Sequence, residues 1–359
     1  MKGYLVSGLP PGPGGLGRFL SMLVPLAEKY GWAVLCRPQS TGHGIFRYGF
    51  ELVKFYARLR TIRNADVLVL HPQTLRWKAF FNLLTSNRVI YYVVDNSFFC
   101  IRSYNYRGQK WEECLDCLGD LSRCHPSCAP FPVSYDRARN LSYLNHLKEK
   151  TPELMFLIQN PNQGRLLRKH FGPDILARQV GMVTDEFEGV KRGSPGSGSY
   201  DIVFHGATNA AKGAGYVIEL ARHLPELSIL LPGRLDEAAD QSGEEGLPDN
   251  VKVMDINWET GLREEVESCR LVLCPSMWSA PIEGALVKSI LHNGRVAVFN
   301  TRYGYQADLP PDLVLRLGPD LEVSARKIRE NLSVDVKEDL AGVWIEELLS
   351  QTDLDSIFC

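Results

Sequence analysis

The segment from Leu271 to Val298 combines residue types and spacing that suit the binding of a phosphorylated ligand. It predicts a buried strand at Leu271–Cys274, a sharp turn, a helix at Pro281–His292 and a second buried strand at Val296–Phe299. In such a βαβ unit the end of the first strand and the start of the helix meet at one edge of a parallel sheet. Free N–H groups and the helix dipole favour anions there. The same pattern is also typical of an ordinary sheet crossover.

A glycine-rich loop near the N-terminus, Pro10–Gly17, could also approach a ligand closely. Gly14 and Gly15 leave backbone N–H groups accessible because they carry no side chain. The loop fits the dinucleotide pattern GxGxxG only formally, since its prolines lack N–H donors. Arg37 and Pro38 stand where an acidic ribose ligand is expected, which argues against binding of NAD.

A second glycine loop, from Gly206 to Gly213, follows a predicted strand at Ile202–His205. Lys212 stands just before the next predicted helix, where an ammonium group acts as a point charge on phosphate beside free helix N–H groups. An ordinary solvated lysine at a helix entry is the alternative interpretation.

Four cysteines, Cys114, Cys117, Cys124 and Cys128, lie within fifteen residues of one another. Their CxxC and CxxxC spacing in a reducing compartment favours a structural zinc site that orders a long loop. Unligated thiols, a local disulfide and an iron–sulfur cluster remain as alternatives.

Polar side chains follow two predicted strands of the first half, His71 after one and Asp95-Asn96 after the other. Strand ends of a parallel sheet share one edge, so these residues are candidates to contact a bound substrate, and an aspartate there could orient or deprotonate a substrate hydroxyl. An Asx turn at the strand end is the alternative for Asp95 and Asn96.

The elements that must position these residues alternate between strand and helix in two series, which predicts α/β domains with parallel sheets covered by helices. We expect a first domain at 1–190 with a cysteine-rich loop at 100–133, a flexible linker at 191–199, a second domain at 200–336 and a final helical segment at 337–359. The last strand predicted for the first domain is Val180–Val183. The final segment is a candidate to pack back on the first domain.

In order and spacing these segments resemble the retaining GT-B glycosyltransferases of family 4, of the type that builds bacterial polysaccharides and lipid-linked glycans. The residues that carry the resemblance are Gly14-Gly15, Gly181-Met-Val-Thr-Asp185, Gly206 to Lys212-Gly213, Pro275-Ser276 to Pro281, and Gly294 to Val296. The resemblance covers nearly the whole chain. It implies two doubly wound Rossmann-like domains facing a central cleft, with the acceptor bound by the first domain and a nucleotide-diphosphate sugar by the second.

Carried over to this sequence, the resemblance assigns donor binding to Gly14, Gly15, Gly206, Lys212, Gly213 and Ser276. Retaining transfer in this family is usually described without a protein nucleophile, the donor phosphate accepting the proton. We therefore expect no catalytic metal, and we expect positioning and electrostatic stabilisation of the leaving diphosphate to supply the catalysis.

The chain departs from the family at its charged positions. Ala207 replaces an arginine, and the paired glutamates fall on Ala280 and Lys288, or on Pro281 and Ser289 if the downstream glycines are aligned. We predict that Glu283, in the first turn of the helix, supplies a catalytic carboxylate for sugar hydroxyls. Lys288 or Arg302 is then the candidate second phosphate ligand. The same losses motivate an alternative, a catalytically inactive GT-B binding or scaffold protein.

Charge is distributed unevenly along the sequence. Residues 1–180 contain 24 lysines and arginines against 12 acidic residues, and residues 181–359 contain 16 against 30. A basic first half favours an anionic partner, and we expect a lipid-linked glycan acceptor at an anionic membrane surface. The sequence has no recognised nucleic-acid motif, so we expect no nucleic acid partner. No apolar run approaches about 20 residues. We predict a cytoplasmic protein, and peripheral association with the inner membrane face is compatible with this prediction.

Overall fold

The computed structural model describes residues 2–40, 45–107, 110–131, 136–184, 187, 190, 193, 196–334 and 340–359. The chain divides into two compact units. The first comprises Met1–Ser103, Leu115–Asp185 and Leu349–Cys359, and the second comprises Tyr104–Cys114 and Glu186–Leu348. Residues 191, 192, 194 and 195 of the predicted linker lie outside the described residues, as does Asp185 of the Gly181–Asp185 motif.

Eight strands precede residue 180. They are β1 (Gly3–Ser7), β2 (Ala33–Cys36), β3 (Asp66–Leu70), β4 (Arg88–Tyr92), β5 (Tyr106–Arg107), β6 (Glu112–Glu113), β7 (Leu154–Ile158) and β8 (Leu176–Gln179). Six of them form a parallel sheet in the order β2-β1-β3-β4-β7-β8. The central strands are runs of buried apolar residues, as expected when helices cover both faces.

The helices of the same part of the chain are α1 (Gly15–Lys29), α2 (Ile45–Thr61), α3 (Pro72–Leu75), α4 (Trp77–Leu84), α5 (Arg137–Lys150) and α6 (Pro161–Phe171). The helix α1 buries Phe19, Leu20 and Leu23 on one face. The helix α6 begins with Asn160 as its N-cap, whose side chain accepts a hydrogen bond from the N–H of Gln163. Each helix thus has one apolar face against the sheet or its neighbours.

The second unit repeats this architecture. Its strands are β9 (Ile202–Phe204), β10 (Ile229–Pro232), β11 (Val251–Met254), β12 (Leu271–Cys274), β13 (Val296–Phe299) and β14 (Leu315–Leu317). They form a parallel sheet in the order β11-β10-β9-β12-β13-β14. Its helices are α7 (Ala214–Arg222), α8 (Leu235–Ser242), α9 (Arg263–Ser268), α10 (Gly284–His292), α11 (Leu321–Leu332) and α12 (Ala341–Ser350).

The segment Tyr104–Cys114 belongs to the second unit although it lies in the sequence of the first. It carries the antiparallel pair of β5 and β6. Tyr106 and Trp111 pack against the core of the second unit, where the rings of Trp111 and Tyr216 are 5.8 Å apart. Tyr106 and Trp111 are therefore partly buried against the second sheet and its helices.

Two predicted elements differ from the observed ones. The strand predicted at Val180–Val183 is wrong, because β8 ends at Gln179 and Gly181 adopts a φ of +71°, which turns the backbone out of the sheet. The helix predicted from Pro281 begins at Gly284, since Glu283 has the extended conformation of an N-cap. In the part of the chain that is described, no helix has the length and apolar character needed to cross a membrane.

Candidate functional site

The strand order of the second sheet reverses between β9 and β12. The strand β9 pairs with β10 on one side and with β12 on the other. After β9 the chain therefore adds β10 and β11 on one side of this strand, and then crosses over to add β12, β13 and β14 on the other side. Loops that leave two such strands diverge, and ligands of open α/β sheets bind in the resulting crevice.

The loop that follows β9 is held in a fixed conformation at the carboxyl edge of the second sheet. The side chain of Asn209 accepts a hydrogen bond from the N–H of Lys212. Gly213 adopts a φ of +85° immediately before α7, and a Cβ atom there would lie 2.5 Å from the carbonyl oxygen of Pro275. Only glycine fits this conformation and this close approach.

The loop that follows β12 packs directly on the first loop. The N–H of Met277 donates to the carbonyl oxygen of Ala211 at 3.0 Å, and Trp278 packs against the same residue. Ser276 is buried, and its carbonyl oxygen accepts a hydrogen bond from the side chain of Gln306. The two loops that were predicted to bind donor thus form one continuous surface.

Lys212 and Glu283 form an ion pair across this crevice. Their side chains are 22% and 11% exposed, so the pair is largely removed from water. Burial lowers the pKa of Lys212 to about 8, and the nearby thiol of Cys274 opposes that shift. Trp278 adds a further contact, with its ring 5.2 Å from the Lys212 ammonium.

Lys288 lies in an aromatic cluster of the same unit. Its side chain is buried, and its ammonium is 4.3 Å from the ring centre of Trp258. The ring of His205 stacks on Trp258, and its Nδ1 is 2.8 Å from the hydroxyl oxygen of Ser289. Burial and the nearby charge of Lys288 lower the pKa of His205 to about 3, so this imidazole is neutral at pH 7.

A carboxylate from the segment Tyr104–Cys114 is also bound at this edge. Glu113 accepts hydrogen bonds from the backbone N–H groups of Arg302 and Tyr303, at 2.8 and 3.1 Å, and from the hydroxyl of Ser279. The side chain of Asn105 also holds Ser279. Its amide nitrogen donates to the hydroxyl oxygen of Ser279 at 2.8 Å, and its amide oxygen accepts from the backbone N–H of Ser279 at 3.0 Å. Burial raises the pKa of Glu113, and the three donors oppose that rise.

Sequence reasoning did not identify Glu113, Asn105 or Trp258 as parts of this site. Arg302, a predicted phosphate ligand, follows β13 and has an exposed side chain whose guanidinium lies over the ring of Tyr303. Its backbone N–H donates to Glu113, and its positive charge also opposes the rise in the pKa of that carboxyl. The predicted residues Lys212, Gly213, Ser276 and Glu283 are brought together.

In the first unit, His71 and Asp95 are in contact at the carboxyl ends of β3 and β4. The Nε2 atom of His71 lies 3.3 Å from the Oδ2 atom of Asp95, and both side chains are almost fully buried. Gln73 donates a second hydrogen bond to Oδ2, and the N–H of Ser97 donates to Oδ1. Burial alone would raise the pKa of Asp95, but the bonds from His71 and Ser97 outweigh it and hold the pKa below its usual value.

The remaining first-unit residues have separate positions. Gly14 is the N-cap of α1 and Gly15 is its first residue, and the space beside both α-carbons is open. Asn96 is fully buried, and its carbonyl oxygen accepts backbone hydrogen bonds from Phe99 and Cys100. The backbone of Asn96 therefore closes the turn after β4, while the side-chain bond typical of an Asx turn is made by Asp95, whose Oδ1 accepts from the N–H of Ser97.

The structural zinc in the cysteine-rich loop stays a prediction. Among the described residues, no group of three or more histidine, cysteine, aspartate or glutamate side chains is arranged to hold a metal ion. The four predicted ligands, Cys114, Cys117, Cys124 and Cys128, are all described.

The fold is similar to those of solved glycosyltransferase structures. Sucrose-phosphate synthase from Thermosynechococcus elongatus matches all of this chain and 96% of its own, with a TM-score of 0.66 and 12% identity. HepE from Anabaena, in complex with UDP-glucose, matches 99% of this chain and 96% of its own, with a TM-score of 0.61 and 13% identity.

A third similar structure is the UDP-forming α,α-trehalose-phosphate synthase from Burkholderia xenovorans, in complex with glucose-6-phosphate. It matches 99% of this chain and 97% of its own, with a TM-score of 0.56 and 11% identity. These neighbours are GT-B proteins, and the predicted class, α/β with two doubly wound units of the GT-B type, is confirmed. No family model and no curated protein sequence matches the chain.

Proposed function

We propose that the protein is a retaining glycosyltransferase that moves a sugar from a nucleotide-diphosphate sugar to a hydroxyl group of a glycan or lipid-linked glycan. The observation that carries this proposal is the buried Lys212–Glu283 pair where the loops after β9 and β12 meet. It combines a cation suited to a diphosphate with a carboxylate suited to sugar hydroxyls. The neighbours described as complexes with UDP or UDP-glucose support a uridine nucleotide as the first donor to test.

The donor is assigned to the second unit. Lys212 and the N–H groups at the start of α7 and α10 neutralise the diphosphate, and Glu283 accepts hydrogen bonds from the sugar once the diphosphate engages Lys212. The backbone around the donor diphosphate is shaped by Ser276, Gly206 and Gly213. Lys288, stacked on Trp258, is the second cation of this unit that we assign to the donor.

The acceptor is assigned to the first unit. Asp95 remains ionised at neutral pH because His71 and Ser97 hold its pKa below the usual value. An ionised carboxylate accepts a hydrogen bond from an acceptor hydroxyl and orients it, while His71 fixes the carboxylate.

Gly14 and Gly15, at the open start of α1, supply further N–H donors for the donor phosphate.

In the proposed reaction the acceptor oxygen bonds to the anomeric carbon while the bond between that carbon and the diphosphate oxygen breaks. The hydroxyl proton passes to the leaving diphosphate, so no protein group changes its protonation state. The chain's own residues contribute by positioning the substrates and by stabilising the charge that develops on the diphosphate.

The basic first half of the sequence supports a lipid-linked acceptor at the cytoplasmic face of an anionic membrane. The alternative, an inactive GT-B binding or scaffold protein, is not favoured by the neighbours, which include named synthases.

The experiment is an assay of nucleoside diphosphate release from a panel of nucleotide sugars, with lipid-linked glycans as acceptors and NMR of the product's anomeric configuration. We expect turnover with at least one donor, retention of configuration and loss of turnover in Lys212→Met. Lys252→Met, an exposed lysine of β11, is the matched control. Nucleotide binding without turnover would instead favour the inactive alternative, and inversion of configuration would contradict the retaining mechanism.

A further inference from the structure

The outward face of α2 carries a ridge of exposed apolar side chains. Phe46, Phe50 and Val53 are 95%, 67% and 69% exposed, and Ala57 is exposed beside them. Their spacing of four, three and four residues places them within an arc of about 60° on the helix. Of the four most exposed large apolar side chains among the described residues, three are on this ridge, so the exposure is clustered rather than scattered.

The opposite face of α2 already serves the fold. Phe55 and Leu59 are 7% and 4% exposed and belong to the core of the first unit. The hydroxyl of Tyr56 donates to the carbonyl oxygen of Leu75, which fixes the helix on its neighbour. Among the described residues, the packing of α2 on this unit thus uses the face opposite the ridge, and the ridge stays exposed.

Basic side chains flank the ridge. Arg47, Lys54 and Arg58 border one side and Arg60 the other, and all four are exposed. Glu51 is the one acidic residue of the helix. An apolar ridge bordered by cations matches the two requirements of an anionic lipid surface, which accepts apolar side chains between its headgroups and attracts positive charge.

We propose that α2 docks the protein on an anionic lipid surface, with Phe46, Phe50 and Val53 inserted at the level of the headgroups and Arg47, Lys54 and Arg58 against the lipid phosphates. The charge complementarity selects a lipid surface over an uncharged apolar partner. This proposal is independent of the donor site, since it uses no residue of the second unit.

The test is flotation of the full chain with vesicles of phosphatidylcholine alone and of phosphatidylcholine with phosphatidylglycerol. We expect binding to the anionic vesicles only, weakened by salt. The triple variant Phe46→Ser, Phe50→Ser, Val53→Ser should lower the partition coefficient at least about tenfold. The matched control is Leu176→Ser, Leu235→Ser, Val343→Ser, three residues with 59%, 66% and 70% exposure elsewhere on the surface, which should bind as the wild type does.

A second variant separates charge from insertion. Replacing Arg47, Lys54 and Arg58 by glutamine should weaken anionic binding by about fivefold for each cation lost. The same charge change at Arg139, Lys252 and Arg326 should have a much smaller effect. Circular dichroism of every variant confirms that the fold is retained.

Failure of the wild type to float with anionic vesicles would overturn the proposal, as would equal binding by the ridge variant and its control. Sedimentation equilibrium tests whether a second copy of the chain, rather than a lipid surface, covers the ridge. A dimer that the ridge variant dissociates, without any vesicle binding, would assign the ridge to a second copy of the chain. Nucleotide affinity in solution should be the same for the ridge variant and the wild type, so a failure here is distinguishable from a failure of the proposed enzymatic function.

Discussion

The ammonium group of Lys212 and the carboxylate of Glu283 meet in an ion pair that is largely removed from water, between a loop after β9 and the N-cap of α10. The two residues come from different βα connections, and the loops that carry them are joined by the hydrogen bond between Met277 and Ala211. A paired cation in this position is held in place before a diphosphate arrives, which reduces the ordering that binding requires.

The affinity for nucleoside diphosphates should fall as the pH rises through about 8. Burial lowers the pKa of Lys212 to about 8 in the unliganded protein. Below that pH the ammonium is charged and attracts the diphosphate, and above it binding must first protonate the amine, which costs affinity by up to about tenfold per pH unit. Calorimetric titration between pH 7 and pH 9.5 measures this. A flat profile, or an equal decline in Lys212→Met, would contradict the role of this lysine.

Glu113 should be far more important for stability than its neighbour Glu112. Glu113 is half-buried and accepts hydrogen bonds from two backbone N–H groups and the hydroxyl of Ser279, so Glu113→Ala should destabilise the second unit by about 1–3 kcal/mol. Glu112 forms an exposed ion pair with Arg107, and Glu112→Ala should cost less than about 1 kcal/mol. Urea denaturation of both variants provides the comparison, and equal losses would show that Glu113 is not held as described.

The contribution of Asp95 to stability should disappear in acid. Its pKa is held below the unfolded value of about 3.9, so the ionised carboxylate stabilises the fold above that pH and loses this contribution as the pH falls through the folded pKa. Asp95→Asn should lower stability by about 1–3 kcal/mol at pH 7, with a smaller difference from the wild type below about pH 4. Asp249→Asn, at an exposed position, is the control. A difference that is independent of pH would refute this assignment.

Gly213→Ala should be destabilising and Gly284→Ala should not. The added Cβ of Gly213→Ala would meet the carbonyl oxygen of Pro275, at a φ of +85° that costs about 1–3 kcal/mol for a residue with a side chain. The space beside Gly284, the first residue of α10, is open, and alanine there should be neutral or stabilising by up to about 1 kcal/mol. Thermal melting distinguishes the two, and a neutral Gly213→Ala would show that the two loops are not in close contact.

Much of the fold could be predicted because its strands are short buried runs with clear boundaries. The predictions of β12 and β13 match the structure residue for residue, since each is an uninterrupted apolar run followed by a polar or proline residue. The approach of Lys212 to Glu283 follows from the same pattern, because parallel strands place their following loops at one edge.

The residues that were missed depend on long-range packing. Glu113 meets Ser279 across 166 positions in the sequence, and nothing local distinguishes it from the exposed Glu112 beside it. The strand predicted at Val180–Val183 failed because Gly181 turns the chain, so that the N–H of Asp353 bonds to the carbonyl oxygen of Val180 near the C-terminus.

The most direct test of a donor site in the second unit is calorimetric titration of the full chain with UDP and UDP-glucose, and then with the other nucleoside diphosphates and their sugars. We predict that at least one binds with one site per chain, that Lys212→Met lowers its affinity by at least about tenfold, and that Lys252→Met leaves it unchanged. Glu283→Gln should retain binding of the free nucleotide and weaken binding of the nucleotide sugar. Absence of binding by every nucleotide, or an affinity that is the same in Lys212→Met, would contradict the account.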